Sequence, residues 1–461
     1  MAPATLSEQL GALADVEAEL NQRWPETKID PTLRRMTALM DVLGSPQRAY
    51  PAVHIAGTNG KTSVTRMIDA LFTRLQLRTG RMTSPHLQSV TERISIDNEP
   101  ISPEGYVETF NDIAPSIRMV DEQSRADGGP AMSKFEVLTA MGFAAFADAR
   151  VDVAVVEVGL GGTWDSTNVI DGQVAVITPI ATDHVDYLGS AIVGIAQAKA
   201  GIIKADSTVV LAEQPPEITE AVLRRCLEVE AAVAREGAEF AVLGRQLAVG
   251  GQQLRLRGLG GVYDDIFLPL HGAHQAHNAV LALAAVEAFM GAGPQLDVDA
   301  VREAFAAVTT PGRLERMRNA PAVFIDAAHN PHGAQALAAT IGAEFDFRKL
   351  VGVVAVMADK DAAGLLAALE PVFDELVITQ NGSPRAMAVE ELAELAAAHV
   401  GHGRVLVAPN LADALKAAIA MAEDVTGPGE SVSGAGVIVT GSVVTAAEAR
   451  TLLRPGGPCG D

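Results

Sequence analysis

Between residues 50 and 310 the chain alternates short apolar runs with longer segments whose apolar residues recur at helical spacing. VDVAVVEVG (151–159) and GQVAVITPI (172–180) are rich in Val, Ile and Ala, as in strands buried on both faces. The spacing elsewhere predicts helices at about 62–79, 133–149 and 190–203. This alternation predicts a mostly parallel sheet covered by helices.

Two further stretches depart from this first alternation. Residues 239–270 are short apolar runs broken by Gly turns, which predicts a small antiparallel patch. After the break at VTTPGRLE (308–315), five more strand–helix units follow, the first of them starting at AVFIDAAH. We therefore expect an α/β protein with an N-terminal domain over residues 1–308, a hinge at 309–315 and a C-terminal, Rossmann-like open α/β domain over 316–461.

The net charge and the composition limit the classes of partner that we expect the protein to bind. The 461 residues carry a formal net charge of −22 and a sequence pI near 4.8, which argues against nucleic acid and anionic membrane as partners. We find no bilayer-spanning apolar run, no signal-peptide pattern, and only two distant cysteines, Cys226 and Cys459. We expect a cytoplasmic protein that binds anions through local donors, helix ends and metal ions.

The segment HIAGTNGKTSVTRM (54–67) carries the most specific motif. An apolar strand leads into a Gly-rich turn, then Lys61, Thr62 and Ser63, and then a helix. Backbone N–H groups of such a turn bind phosphate oxygens, the lysine reaches the terminal phosphates, and a hydroxyl after it holds Mg²⁺. Because the first glycine is Gly57, the loop is shorter than the usual G-x-x-x-x-G-K-[ST]. A Gly-rich turn without a ligand is the weaker alternative, so we expect a P-loop in the N-terminal domain.

Polar residues follow or flank other predicted strands. Glu157 ends a buried strand, where a carboxylate either holds Mg²⁺ beside the P-loop or pairs with a surface arginine. Asp183 and His184 follow the next strand, and the histidine is either a ligand or a hydrogen-bonded structural residue. Lys199 lies in an apolar helix, where its ammonium either extends to solvent or is chemically neutralised.

Other candidates have simpler structural explanations. Ser133 and Glu136 have the spacing of a capping box, which leaves Lys134 and Phe135 to face a pocket or solvent. Asn278 begins an apolar helix, where capping alone would account for it.

The C-terminal candidates begin at the domain seam. Arg313 lies in the turn PGRLE and is either solvated or a phosphate clamp. Asp326, His329 and Asn330 follow where the next strand ends.

In combination these motifs resemble folylpolyglutamate synthase, including the bifunctional dihydrofolate synthase form, within the ATP-dependent Mur ligase superfamily. The resemblance covers nearly the whole chain and rests on motifs in the family's order: IDPTLRRM, GTNGKTS, SPHL…ERI, KFE, EVGLGG…D.TN, DH…LG, KAGIIK, HQ..NA, PGRLE, D.AHNP.G, DKD, SPRA and TGS.

The resemblance implies a role for each candidate residue. The residues implied for ATP are Thr58, Asn59, Gly60, Lys61, Thr62, Ser63, Asn278, Arg313 and Asp326. The residues implied for metal are Ser63, Ser84, Glu157, His184 and Lys199, the last as a carbamate. The residues implied for folate or glutamate are Leu33, Arg93, Lys134, Phe135, His329 and Ser442. Catalysis would rest on Lys61, Glu157, His184, Lys199, Arg313 and His329.

The family loop has Gly where this chain has Thr62, so either Thr62 or Ser63 would hold Mg²⁺, and the alignment favours Ser63. The implied reaction passes a phosphate from ATP to a folate carboxylate, and the amine of L-glutamate then attacks the acyl phosphate. The implied cofactors are two Mg²⁺ ions, with a monovalent cation such as K⁺ as a further candidate. The expected partners are folate or dihydropteroate, L-glutamate and ATP, and we expect a monomer.

Two other functions are weighed against this one. A muramyl-peptide ligase of the same superfamily would carry an extra N-terminal α/β domain, but only about 50 residues with helical patterns precede the loop. A nucleotide switch without ligation would not explain the polar residues of the second domain.

Overall fold

The computed structural model describes residues 5–25, 30–183, 189, 191–424 and 434–459. The chain forms two compact units. The first comprises Met1–Gln246, Gln253–Leu268 and Ala276–Val308, and the second comprises Leu247–Gln252, Pro269–Gln275 and Thr309–Asp461. Each unit is built around a sheet of its own.

The elements before residue 310 are the following, in chain order: α1 (Leu6–Asn21), α2 (Arg34–Val42), β1 (Ala52–Ala56), α3 (Lys61–Arg74), β2 (Thr79–Met82), β3 (Ile94–Ile96), β4 (Glu99–Pro100), α4 (Pro103–Ala126), α5 (Lys134–Ala149), β5 (Val153–Glu157), β6 (Gly172–Ile177), α6 (Ile192–Ala200), β7 (Thr208–Leu211), α7 (Pro216–Glu228), β8 (Ala232–Arg235), β9 (Ala241–Ala248), β10 (Gly251–Arg257), β11 (Val262–Leu268), α8 (Ala273–Phe289) and α9 (Val298–Ala306).

The large sheet of the first unit has the strand order β4-β3-β2-β5-β1-β6-β7-β8. Strands β2, β5, β1, β6, β7 and β8 run parallel, whereas β3 and β4 add an antiparallel edge. The predicted parallel sheet is therefore confirmed. In register, Ile55 pairs with Glu157 and Ala56 with Ile177, so the carboxyl ends of β1, β5 and β6 lie side by side.

Residues 239–270 contain the separate three-stranded sheet expected from their Gly-broken pattern, in the order β11-β10-β9. The capping box predicted at the start of α5 is also present. The Ser133 hydroxyl accepts from the Glu136 N–H at 3.1 Å, and the Glu136 carboxylate accepts from the Ser133 N–H at 2.7 Å. This reciprocal pair satisfies N–H groups that the first helical turn cannot bond internally.

The elements of the second unit after residue 310 are the following: β12 (Glu315–Asn319), β13 (Ala322–Ile325), α10 (Pro331–Glu344), β14 (Lys349–Val354), α11 (Ala362–Leu369), β15 (Glu375–Ile378), α12 (Val389–Val400), β16 (Val405–Val407), α13 (Leu411–Glu423), β17 (Ala435–Thr440) and α14 (Val443–Leu452).

The sheet of the second unit has the order β12-β13-β17-β14-β15-β16, with the five predicted strands parallel. Alternate residues of β14 divide between two cores: Val351 and Val353 pack on one face, and Leu350 and Val354 on the other. Strand β12 was not predicted, and it pairs antiparallel with β13 at the edge of the sheet. Its sequence ERMRN has no apolar run that the hydrophobic pattern could detect.

Within the described part of the chain, every helix is too short or too polar to traverse a lipid bilayer.

Candidate active site

The loop between β1 and α3 depends on two glycines. Gly57 has φ +150° and Gly60 has φ +88°, values that side chains disfavour. A Cβ at Gly57 would overlap the Thr178 side chain, and one at Gly60 would lie 2.7 Å from Asn278 Oδ1. The glycines therefore allow both an unusual backbone conformation and the close approach of the Thr178 and Asn278 side chains.

The loop is held against the residues that follow β6. The Thr58 N–H donates to the Pro179 carbonyl at 3.0 Å, and the Thr58 hydroxyl donates to the Ala181 carbonyl at 2.9 Å. The Ala181 N–H donates back to that hydroxyl at 3.1 Å. Thr58, one of the residues implied for ATP, thus fixes the loop conformation.

Lys61 is the first residue of α3, so its ammonium adds to the partial positive charge of the helix N-terminus. Its Nζ donates to the carbonyls of Gly57 and Thr58, each at 3.1 Å, which arches the side chain over the loop. This is the local concentration of positive charge that an acidic protein needs at a phosphate site.

Glu157 is 2% exposed and lies at the end of β5, beside the loop. Its Oε1 accepts from the Thr62 hydroxyl at 2.8 Å, and its Oε2 accepts from the Ser84 N–H at 3.3 Å. The structure brings Glu157, Ser84 and the residue after Lys61 together, as expected. The hydroxyl on the carboxylate is that of Thr62, and Ser63, which the alignment favours for Mg²⁺, is a buried residue of the same helix.

Lys199 is 5% exposed, and its Nζ donates to the Gly57 carbonyl at 2.7 Å. Extension to solvent is therefore wrong as an explanation of this residue. Burial, reinforced by repulsion from Lys61, lowers the pKa of Lys199 to about 7, while Asp183 and Asp165 oppose the shift. A large share of this amine is then neutral near pH 7 and able to react. His184 lies outside the described residues.

The oxygen donors around Glu157 suit Mg²⁺. This ion is commonly held by one or two carboxylates together with hydroxyls, waters and substrate phosphates, and here a buried carboxylate adjoins Thr62 and the P-loop. Over the residues described, the structure has no cluster of three or more His, Cys, Asp or Glu side chains arranged for a metal. A site built only from protein carboxylates and imidazoles is thus not found there.

The residues implied for folate lie in different surroundings. The Phe135 ring packs so closely on Gly159 that a Cβ there would overlap it, which places this ring next to the end of β5. The Lys134 side chain contacts Asn21 instead, and its Nζ donates to Asn21 Oδ1 at 2.8 Å. Leu33 is half-buried at the start of α2.

Arg93 is buried immediately before β3, and its Nε–H donates to His86 Nδ1 at 2.9 Å. Asn278 lies in the second turn of α8, next to Gly60, and is 4% exposed. Helix capping therefore does not account for Asn278.

In the second unit, Arg313 lies in a turn closed by the Arg313 N–H on the Thr310 carbonyl at 3.1 Å. The Asp326 carboxylate accepts from the Leu314 N–H and the Ala328 N–H, each at 2.8 Å. Burial raises the pKa of Asp326, and the nearby Arg313 charge opposes that rise. Arg313 and Asp326 are thus brought together within this unit.

The last two candidates differ in their surroundings. His329 Nδ1 lies 2.9 Å from the Ala327 carbonyl, and because a carbonyl only accepts, Nδ1 carries the proton. The Ser442 hydroxyl caps α14 by accepting from the Thr445 N–H at 2.9 Å, and it also accepts from Asn381 Nδ2 at 3.2 Å. The described contacts of Ser442 are those of a helix cap.

Asp165 is a site residue to which the sequence analysis assigns no role. This buried carboxylate accepts from the Leu160 N–H at 2.8 Å and from the Thr167 N–H at 3.0 Å, and so shapes the glycine segment after Glu157. Burial raises the pKa of Asp165, against the hydrogen bonds that lower it. An Asp two residues before a Thr is a detectable capping pattern.

Comparison with known proteins identifies the chain. The Mur ligase middle domain matches residues 133–286, and the Mur ligase glutamate ligase domain matches residues 312–443. The dihydrofolate synthase/folylpolyglutamate synthase of Mycobacterium tuberculosis is 63% identical over 97% of this chain and 95% of its own length. This chain belongs to the dihydrofolate synthase/folylpolyglutamate synthase family.

Solved structures of the family agree with this assignment. The structure of M. tuberculosis folylpolyglutamate synthase complexed with ADP matches with a TM-score of 0.93 and 62% identity, covering 96% of this chain and 98% of that one. Escherichia coli FolC in complex with DHPP and ADP matches with a TM-score of 0.81 and 29% identity, covering 95% and 96%. As a member of this Mur ligase family, the protein is an ATP-dependent acid–amino-acid ligase.

Proposed function

We propose that this protein adds L-glutamate to the terminal carboxylate of a reduced folate, with cleavage of ATP to ADP and phosphate. The observation that carries the proposal is the loop Gly57–Thr62 with the Thr62 hydroxyl on the buried Glu157 carboxylate. It occurs in a chain 63% identical to a protein named for folylpolyglutamate synthesis.

In the proposed reaction, a folate carboxylate oxygen attacks the γ-phosphorus of ATP, and the bond to the β-phosphate oxygen breaks. Lys61 and the N–H groups at the start of α3 stabilise charge on the transferred group. The amine of L-glutamate then attacks the acyl carbon, loses a proton, and displaces phosphate. The protein orients three substrates and excludes water, which accounts for much of such catalysis.

Thr62, Glu157 and Ser84 would hold Mg²⁺, which supplies charge neutralisation between the phosphates. A second Mg²⁺ would involve His184 and a carbamate on Lys199, since a neutral lysine amine adds CO₂ and releases a proton to become an anionic oxygen ligand. K⁺ is a further proposed ion. Lys199→Ala should then impair metal use, and short carboxylates should partly restore it; parental metal use by this variant would contradict the carbamate.

In the second unit, we propose that Arg313 and Asp326 serve the nucleotide and that His329 serves the incoming glutamate or the acyl phosphate. Phe135, Leu33 and Arg93 are proposed for folate and glutamate, together with Lys134 and Ser442. Lys134 and Ser442 are the weaker candidates, because their side chains are engaged by Asn21 and by the start of α14.

The test offers dihydropteroate and tetrahydrofolate in parallel, with ATP, Mg²⁺ and radiolabelled L-glutamate. The proposal predicts glutamate incorporation and ADP release with tetrahydrofolate, and with dihydropteroate as well, because the M. tuberculosis relative is named for both activities. Lys61→Ala should reduce turnover about a hundredfold or more. Turnover only with a muramyl peptide would overturn the folate assignment, and ATP binding without ligation would indicate a switch. We also expect the protein to act as a monomer, which light scattering would test.

A further inference from the structure

The turn that carries Arg313 is fixed at several backbone atoms. Pro311 and Gly312, the latter with φ +71°, form its centre, and the Arg313 N–H closes it on Thr310. Pro then Gly at these positions is typical of a type II turn. The Gly312 carbonyl also accepts from the Ala327 N–H at 2.8 Å. The backbone on the N-terminal side of Arg313 therefore has one defined path.

The N–H groups on either side of Arg313 both donate to carboxylates. The Leu314 N–H donates to Asp326 Oδ2 at 2.8 Å, and the Gly312 N–H donates to Glu315 Oε2 at 2.8 Å. Leu314 has φ +45°, a left-handed conformation that costs a non-glycine residue about 1 kcal/mol or more. Such a conformation persists where the surroundings impose it, and here the two carboxylates do so.

Glu315 is in turn oriented by a residue far away in the sequence. Arg450, in the last turn of α14, donates its Nε–H to both oxygens of Glu315, at 2.9 and 3.1 Å. Because Glu315 begins the edge strand β12, whose pairing covers only one side, this ion pair joins the strand to a helix.

We propose that Glu315 and Arg450 are positioning residues that set the direction of the Arg313 side chain for its role in phosphate transfer. The inference rests on the proposed function of Arg313. It assigns a purpose to the glutamate of PGRLE and to Arg450, neither of which the reaction otherwise uses. The Glu315 oxygen on the Gly312 N–H transmits the effect, and Arg450 holds that oxygen in place.

The first experiment measures kcat and the KM values of Glu315→Gln and Arg450→Met. Glu315→Gln removes the carboxylate charge and replaces one accepting oxygen with an N–H₂ donor, which weakens the bonds to the Gly312 and Arg450 donors. The variant should therefore lower kcat about tenfold and leave the KM for L-glutamate within twofold. The matched control is Glu375→Gln, which breaks the Lys349–Glu375 pair between β14 and β15 of the same sheet. Its side chains are 22% and 33% exposed, against 27% and 24% for Arg450 and Glu315. The control should keep the parental kcat. The inference would be overturned if Glu315→Gln and the control Glu375→Gln lowered kcat equally. It would also be overturned if Glu315→Gln lowered Tm but kept the parental kcat.

The second experiment separates this inference from the role of Arg313. Arg313→Ala should lower kcat more than Glu315→Gln, and Glu315→Gln should add no further loss in the Arg313→Ala background. If Glu315→Gln lowers kcat by the same factor in the Arg313→Ala background as in the parent, Glu315 does not act through Arg313. If Arg313→Ala keeps parental kcat, the proposed role of Arg313 and this inference both fail; if only Glu315→Gln is silent, this inference alone fails.

The charge-swapped double variant Glu315→Arg with Arg450→Glu gives a third readout. It restores an ion pair but leaves no acceptor for the Gly312 N–H, so it should recover Tm without recovering kcat. Recovery of both would reduce the pair to an ordinary stabilising contact. Arg450→Lys retains the charge and should recover more kcat than Arg450→Met, whereas equal kcat values would contradict the positioning role.

Discussion

Replacing Thr62 with valine tests which hydroxyl serves the metal. Valine keeps the shape of threonine but removes the hydroxyl that lies 2.8 Å from Glu157 Oε1. A hydrogen bond to a charged group contributes about 1.5–3 kcal/mol, and Glu157 is 2% exposed, so water does not replace the lost partner well. A loss of about 2 kcal/mol corresponds to about thirtyfold weaker binding of Mg²⁺.

The assay is ADP release at saturating ATP, folate and L-glutamate, measured over a Mg²⁺ titration. Thr62→Val should shift the half-saturating Mg²⁺ concentration upward about thirtyfold, whereas Thr62→Ser keeps the hydroxyl and should stay within a few-fold of the parent. Ser63→Ala is the matched control at the next position and should leave the titration unchanged. A larger shift in Ser63→Ala than in Thr62→Val would refute the assignment of Thr62.

Three further predictions concern the loop, a buried carboxylate and a histidine. Gly60→Ala should abolish ATP binding in calorimetry, whereas Gly128→Ala, with a similar φ of +80° but nothing within 4 Å, should lose only about 1 kcal/mol of stability. Asp165→Asn turns an amide N–H₂ toward backbone donors, so denaturant unfolding should show a loss of about 2 kcal/mol; unchanged stability would contradict this. The hydrogen bond that the His277 ring donates to the Glu236 carboxylate raises the pKa of His277 above 6.5, so the folded state holds this proton more tightly than the unfolded chain. The resulting stabilisation is complete below pH 6.5 and is lost as pH rises through the folded-state pKa. Because the His277 side chain is 48% exposed, this stabilisation is under about 1 kcal/mol. The variant His277→Gln should remove that part of the pH dependence of Tm.

Much of the fold followed from local patterns. Runs of Val, Ile and Ala marked β1, β5, β6 and the five parallel strands of the second unit, because strands buried on both faces must be apolar throughout. The edge strand β12 was not predicted because it pairs with a neighbour on one side only, so its ERMRN sequence can be polar and has no apolar run. Its glutamate, Glu315, was missed for the same reason.

The sequence by itself determined the loop, since Gly57, Gly60 and Lys61 act through backbone conformation and a neighbouring helix start, all within a few residues. Only the tertiary structure decided that the Thr62 hydroxyl meets the Glu157 carboxylate, because successive residues of a helix point about 100° apart and the packing of α3 selects which one reaches it. It also decided that Lys199 is buried and that Arg450 meets Glu315, 135 positions away. Contacts of that range depend on how strands and helices stack, and no local pattern of residues encodes them.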